Sequence, residues 1–149
     1  MKHDNVLKCF EVVREPSHCY IVTEFCDQGD LSGFLKKKGR LNEQEALKLT
    51  KDIVSGLIHI AEGGFIHRDM KLANIFMNGG KALIADFGFA KKHRGPSQKE
   101  RYNVGSPLYM SPEALKKNMY SIKNDIWSIG IMLYELLHGE TPWNCRTEK

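Results

Sequence analysis

The chain has little sulfur chemistry to offer. Its four cysteines, Cys9, Cys19, Cys26 and Cys145, form no C-x-x-C pair and have no histidine at metal-ligand spacing. That argues against a zinc knuckle and against a disulfide framework, and the expectation is reduced thiols in a cytoplasmic protein. Long apolar runs are missing too. The longest, Ile126 to Leu137, is broken by Ser128, Gly130 and Glu135 and is too short to span a bilayer. Met1-Lys2-His3-Asp4-Asn5 starts no apolar run of signal-peptide length. Charge of one sign is not concentrated: 22 Lys and Arg against 18 Asp and Glu give +4. A nucleic-acid binder usually carries a dense basic stripe, so no nucleic-acid partner is expected. There is no internal repeat and no low-complexity tract. What remains, 42% hydrophobic and 27% charged residues over 149 positions, has the balance of a soluble globular domain with one core.

Two apolar runs, Val6 to Val13 and Cys19 to Phe25, flank the turn Arg14-Glu15-Pro16-Ser17 and predict a β-hairpin. Leu31 to Lys38 predicts a short helix with a lysine-rich end, stopped by Gly39. Asn42 opens a long helix, with Glu45 placed for a capping box. Ala46, Ile53, Leu57, Ile60 and Ala61 form its stripe, widened by Leu49, Val54 and Ile58, and Gly63-Gly64 ends it. Asn78-Gly79-Gly80, between Ile75-Phe76-Met77 and Ala82-Leu83-Ile84-Ala85, predicts a second hairpin. Residues 91–111 have little periodicity and read as a long loop. Asn124 or Asp125 then starts a helix, Ile126 to His138, apolar nearly all round and so expected in the middle of the domain.

Three polar clusters sit on loops beside these short strands. They are His67-Arg68-Asp69-Met70-Lys71-Leu72-Ala73-Asn74, then Asp86-Phe87-Gly88, then Gly105-Ser106-Pro107-Leu108-Tyr109-Met110-Ser111-Pro112-Glu113. A carboxylate, an ammonium and an amide within six residues suit an anionic substrate with a hard metal. Asp86, across the hairpin from Asn74, can bring a second oxygen to the same ion. Magnesium takes oxygen ligands and shares them with phosphates.

The H-R-D-x-K-x-x-N loop, the D-F-G and a near A-P-E, in that order, resemble the signature set of protein kinases. A lone D-F-G would say little; the eight-residue loop and the order of the three carry the resemblance. It implies a catalytic role for Asp69, which would accept the substrate hydroxyl's proton, and for Lys71, which would neutralise the transferring phosphoryl. Asn74 and Asp86 would be the ligands of Mg2+, and Gly88 would let the backbone turn after Phe87. His67, Arg68, Glu113 and Asp125 would be structural supports. Asp125 would be tied to the catalytic-loop backbone, a role compatible with its plainer reading as a helix N-cap. Ser106 would bond Asp69 and Lys71, its plainer reading being a loop hydroxyl capping its own turn.

Upstream, His3-Asp4-Asn5-Val6 resembles the segment before the fourth small-lobe strand. Tyr20 to Cys26 resembles the fifth strand and hinge. By that resemblance Thr23 is the gatekeeper and ATP is gripped by the Glu24 carbonyl, the Cys26 amide, Asp30 at a ribose hydroxyl and Phe76 under the adenine. Lys71, two residues after Asp69, and the Gly105–Tyr109 segment resemble serine/threonine kinases rather than tyrosine kinases. The Gly105–Glu113 stretch also resembles autophagy-initiating kinases. Arg68 marks kinases whose activation loop is ordered by phosphorylation, which would fall on Tyr102 or Ser97. The basic run Lys91-Lys92-His93-Arg94 with Lys99 and Arg101 would attract acidic substrates or simply stay solvated.

Three features depart from the pattern. Ser111 replaces the usual alanine, and Ala61 stands where many relatives have histidine. No glycine-rich loop or V-A-I-K lysine occurs. The expectation is therefore an α+β chain covering the central part of a two-lobed kinase fold. Residues 1–26 would be a small-lobe remnant with hinge, and 27–149 an incomplete, mostly helical large lobe. The expected function is ATP-dependent phosphorylation of Ser/Thr hydroxyls on a protein substrate, as the core of a longer kinase. The other function class is an inactive truncated kinase that serves as a binding module.

Overall fold

The computed structural model describes residues 2–93, 98–99 and 104–143, with backbone only at 98–99. Ser97, Arg94, Arg101, Tyr102 and Cys145 lie outside the described residues. The elements run β1 (Cys9–Arg14), β2 (Cys19–Thr23), α1 (Leu31–Lys38), α2 (Glu43–Glu62), β3 (Phe65–Ile66), β4 (Ile75–Asn78), β5 (Lys81–Ile84), β6 (Lys91–Lys92), β7 (Gln98–Lys99), α3 (Pro112–Lys117), β8 (Met119–Tyr120) and α4 (Ile122–His138). One-turn 3-10 helices lie at Leu72–Asn74 and Pro107–Tyr109. This is a mixed α+β architecture in which each sheet among the described residues has two strands.

Helix α2 forms where a cap and a stripe agree. The Asn42 side chain accepts from Glu45 N, and the Glu45 carboxylate accepts from Asn42 N. That is a complete capping box. Ala46, Leu49, Ile53, Leu57 and Ile60 turn inward, while Val54 and Ile58 lie exposed on the flank of the stripe. The inward face meets Ile75, Met77, Ala82 and Ile84 of the β4–β5 hairpin, and Met132 and Leu136 of α4. Leu31 and Leu35 of α1 close the same core.

The segment before β1 is fastened to this core. Ile84 N donates to Asn5 O at 2.9 Å, and Leu7 N donates to Ile84 O at 2.8 Å. Helix α2 passes so close beneath Asn5 that a Cβ on Gly56 would meet the Asn5 carbonyl oxygen at 2.5 Å. Glycine is required there by space rather than by conformation.

By contrast, the β1–β2 hairpin stands clear of the core, with Phe10, Val12, Tyr20, Ile21 and Val22 exposed. Among the described residues no helix is long and apolar enough to cross a membrane.

Two expectations need correction. Residues 91–111 are not one loop: β6 pairs with β3, β7 pairs with β8, and a 3-10 turn covers Pro107–Tyr109. Ladders of two residues are too short to leave a period-two signature, so neighbouring edges create them. Helix α4 begins at Ile122, capped by Ser121, and not at Asn124 or Asp125. Asn124 occupies the third helical position, where its Oδ1 accepts from Ser121 N. A cap-type residue at that position makes the start look later than it is. Nor is α4 buried all round: Ile126, Trp127 and Tyr134 are exposed on its outer side.

Candidate active site

Strand β3 delivers the chain into the loop His67–Asn74, and Asp125, in the first turn of α4, shapes that loop from below. Its Oδ2 accepts from His67 N at 2.8 Å and its Oδ1 from Arg68 N at 2.9 Å. Arg68 sits at φ 69°, a left-handed conformation that costs a non-glycine residue energy unless neighbours impose it. The paired acceptors on Asp125 impose it. Burial, the larger influence, holds the Asp125 carboxyl above its ordinary value against the downward pull of the two backbone donors.

His67 is fully buried. Its Nε2 bonds Ala85 O at 3.0 Å, and its Nδ1 accepts from Asp69 N at 3.3 Å. This pattern requires the Nε2–H tautomer. The ring also meets Phe87 edge-on, with centroids 5.2 Å apart. One imidazole therefore ties the Asp69 loop to both the end of β5 and the Asp86-Phe87-Gly88 turn.

Asp69 is buried, and its two oxygens carry different loads. Oδ2 accepts from Asn74 Nδ2 at 2.9 Å and from Lys71 Nζ at 2.8 Å. Oδ1 accepts from Ser106 Oγ at 2.9 Å. Lys71 Nζ also donates to Ser106 Oγ at 2.9 Å, closing a ring of three side chains. Asn74 Nδ2 reaches the Asp69 carbonyl as well, at 2.8 Å, which leaves the Asn74 Oδ1 as its outward acceptor. Asp69 Oδ1 keeps a lone pair, because it accepts only one bond.

Ser106 gets there through a tight approach. Gly105, at φ 108°, passes Arg68 so closely that a Cβ would lie 2.5 Å from the Arg68 carbonyl oxygen. Tyr120 pins the same segment: its hydroxyl donates to Val104 O at 2.9 Å and accepts from Val104 N at 3.0 Å.

Asp86 lies exposed at φ 56°, with Oδ1 accepting from Gly88 N at 3.1 Å. A Cβ on Gly88 would crowd that same oxygen at 3.1 Å. No group of three or more His, Cys, Asp or Glu side chains among the described residues could hold a metal by itself.

The residues expected to form a hinge lie on one stretch after β2. Thr23 Oγ1 donates to Glu24 O at 3.2 Å, Glu24 N donates to Lys8 O, and Cys26 O accepts from Gly29 N. The Cys26 thiol is pushed up, first by burial and then by Glu24 and Asp27. Asp30 bridges to Phe76 through the backbone and caps α1, its Oδ1 accepting from Gly33 N at 2.8 Å. One oxygen of Asp30 is thus already engaged as a helix cap. Glu113 is exposed in the first turn of α3.

Three supporting contacts were not expected from the sequence. Tyr120 makes one. A second is made by Tyr109, whose hydroxyl donates to Glu135 Oε2 at 2.6 Å. The third is made by Ser111, which caps α3 and accepts from Asn124 Nδ2, joining the first turns of α3 and α4. The serine that departs from the usual alanine supplied a signal for the last. Tyr120, a lone tyrosine outside any periodic segment, supplied none, and the motif that holds Tyr109 does not point to Glu135.

Comparison with known proteins agrees with this geometry. A family model described as protein kinase domain matches residues 1–149. The chain is 36% identical to the serine/threonine-protein kinase atg1 of Dictyostelium discoideum, over 97% of the chain and 22% of that protein. It is 34% identical to the serine/threonine-protein kinase PLK4 of Danio rerio, over 100% of the chain and 16% of that protein. It is likewise 34% identical to the serine/threonine-protein kinase ATG1a of Arabidopsis thaliana, over 95% of the chain and 23% of that protein. The chain thus spans less than a quarter of the length of these relatives. With the loop, the turn and the ring of side chains in place, this chain belongs to the protein kinase domain family.

Proposed function

We propose that the chain carries the phosphoryl-transfer centre of a serine/threonine kinase, moving the γ-phosphate of ATP to a Ser or Thr hydroxyl on a protein. The observation that carries this reading is the closed ring of Asp69, Lys71 and Ser106, with Asn74 locking the back of the carboxylate. Asp69 Oδ1 offers its remaining lone pair to an incoming hydroxyl and accepts the proton as the oxygen attacks. Lys71 faces the same spot with a cation that balances charge on the transferring group. Ser106 keeps both aligned.

The donor set fits Mg2+: Asn74 and Asp86 would supply two oxygens, and the nucleotide phosphates would complete the shell, as a cation that is rarely caged by protein alone requires. Bound Mg-ATP would bring the transferable phosphoryl group and neutralise its charge. The Glu24 carbonyl and Cys26 amide would take the adenine edge, Phe76 its face, and the free oxygen of Asp30 a ribose hydroxyl.

The test is phosphate incorporation into a protein substrate by the full-length protein. Asp69→Asn keeps the shape and lowers kcat by about a hundredfold or more, as expected for loss of a positioned base. Activity that survives Asp69→Asn within a few-fold would refute the assignment. Magnesium-dependent ATP binding by the same variant separates a lost base from a lost site.

A further inference from the structure

We propose that a groove between α1, α2 and the β4–β5 turn docks an acidic linear segment with apolar anchors on a partner protein. Its apolar floor is Phe34, Leu41, Leu49 and Met77, around a cavity of about 160 Å³. A shallower depression continues past Leu41 toward Leu137. The ion pair of Lys38 with Glu45 sits between the two hollows and lines both.

The rim is cationic, and its charges are largely uncommitted. Lys36, Lys37 and Lys38 end α1, where they also suit the negative end of the helix. Lys36 faces Glu135, and Lys38 is paired with Glu45. Each Glu45 oxygen has a partner, the second accepting from Asn42 N. Lys37, Arg40 and Lys48 have no hydrogen-bond or ion-pair partner among the described residues. Lys48 Nζ hangs over the turn, 3.9 Å from the Cβ position of Gly80. The Gly80 amide is held by Gln28 Oε1 at 3.0 Å, so the wall beneath that cation is fixed.

An apolar floor with the uncommitted cations Arg40 at the outer depression and Lys48 at the inner cavity selects a ligand of matching pattern. Apolar side chains enter the hollows, and carboxylates meet Arg40 and Lys48. None of these groups belongs to the ring around Asp69, so the inference is independent of the catalytic reading.

The test uses the full-length protein and fluorescein-labelled synthetic peptides read by anisotropy. One series carries leucines in a glutamate background at varied spacing; controls replace the leucines with alanine or the glutamates with lysine. We expect members of the first series to bind and both controls to fail. Binding should weaken steeply as salt rises. The R40E/K48E variant should bind roughly five- to tenfold more weakly, as loss of two exposed charge contacts implies. Should that variant fail to fold, Lys48→Glu alone must still weaken binding. No binding in the first series, equal binding of the alanine control, or no response to charge reversal would overturn the proposal. So would a single-stranded oligonucleotide that competes at the peptide's own concentration, since it would mark a surface for any polyanion.

Discussion

Replacing Asp125 with asparagine would separate charge from geometry at the base of the site. Asparagine offers one carbonyl oxygen where Asp125 offers two acceptors, to His67 N and Arg68 N. Its amide group would face a backbone donor in a buried place. We expect Asp125→Asn to cost about 1–3 kcal/mol of stability, the usual penalty of an unsatisfied buried group, measured by denaturant unfolding. Arg68 would also be freer to leave φ 69°, so kcat should fall even though Asp125 reaches no substrate. Ser106 belongs to the same scale. Ser106→Ala removes one donor to Asp69 and one acceptor from Lys71, and activity should fall by roughly tenfold while Ser106→Thr restores most of it. Most of the polar atoms in this cluster were legible in the sequence, because the loop motif dictates residue type at fixed spacing. The Tyr109–Glu135 and Tyr120–Val104 bonds were not, since nothing local distinguishes a tyrosine with a buried partner from one on the surface.

At the scale of elements, local chemistry and tertiary context divide clearly. Helix α1, the capping box of α2 and the Asn78-Gly79-Gly80 hairpin are written in neighbouring residues and appear where expected. Strands β3, β6, β7 and β8, of two residues each, exist only because another segment lies alongside. Helix α4 shows both effects: its existence was legible, but its start was displaced by Asn124. Two variants test the local part. Asn42→Ala removes the cap of α2 and should lower stability by about 1 kcal/mol. Gly56→Ala improves helix propensity yet should destabilise by roughly 1–3 kcal/mol, because its Cβ has no room against the Asn5 carbonyl. A thermal melt in which Gly56→Ala gained stability would contradict that close approach.

For the whole molecule, the balance of buried charge sets a pH dependence. Burial holds the Glu135 carboxyl above the ordinary carboxylate range, against the opposing Tyr109 hydrogen bond and the Lys36 charge. Between the ordinary and the raised value the folded chain holds a proton that the unfolded chain has released. Stability therefore falls as pH rises through that window, and the cost persists above it. Glu135→Gln keeps an acceptor for the Tyr109 hydroxyl and has no charge to bury. The difference in Tm between Glu135→Gln and the parent should grow as pH is raised from below the carboxylate range toward neutrality, then level off. A difference that stays flat would mean that Glu135 ionises as freely as a surface carboxylate. The relatives bear on the molecule at this scale as well. Atg1-type and PLK4-type kinases match at 31–36% identity, so the family is settled while both subfamilies stand side by side.

The bond from His67 N to Asp125 joins positions 58 residues apart, and the bond from Ser106 to Asp69 spans 37. Contacts of such range close late, after helices and hairpins whose partners are near in sequence. On a ribosome, the His67–Asn74 loop must wait for α4 to emerge before its backbone can take its final shape. In pulsed hydrogen exchange during refolding, the amides of His67 and Arg68 should gain protection after those in the middle of α2. A centre built this way cannot be finished in a nascent chain that stops short of Asp125, however complete its own motif.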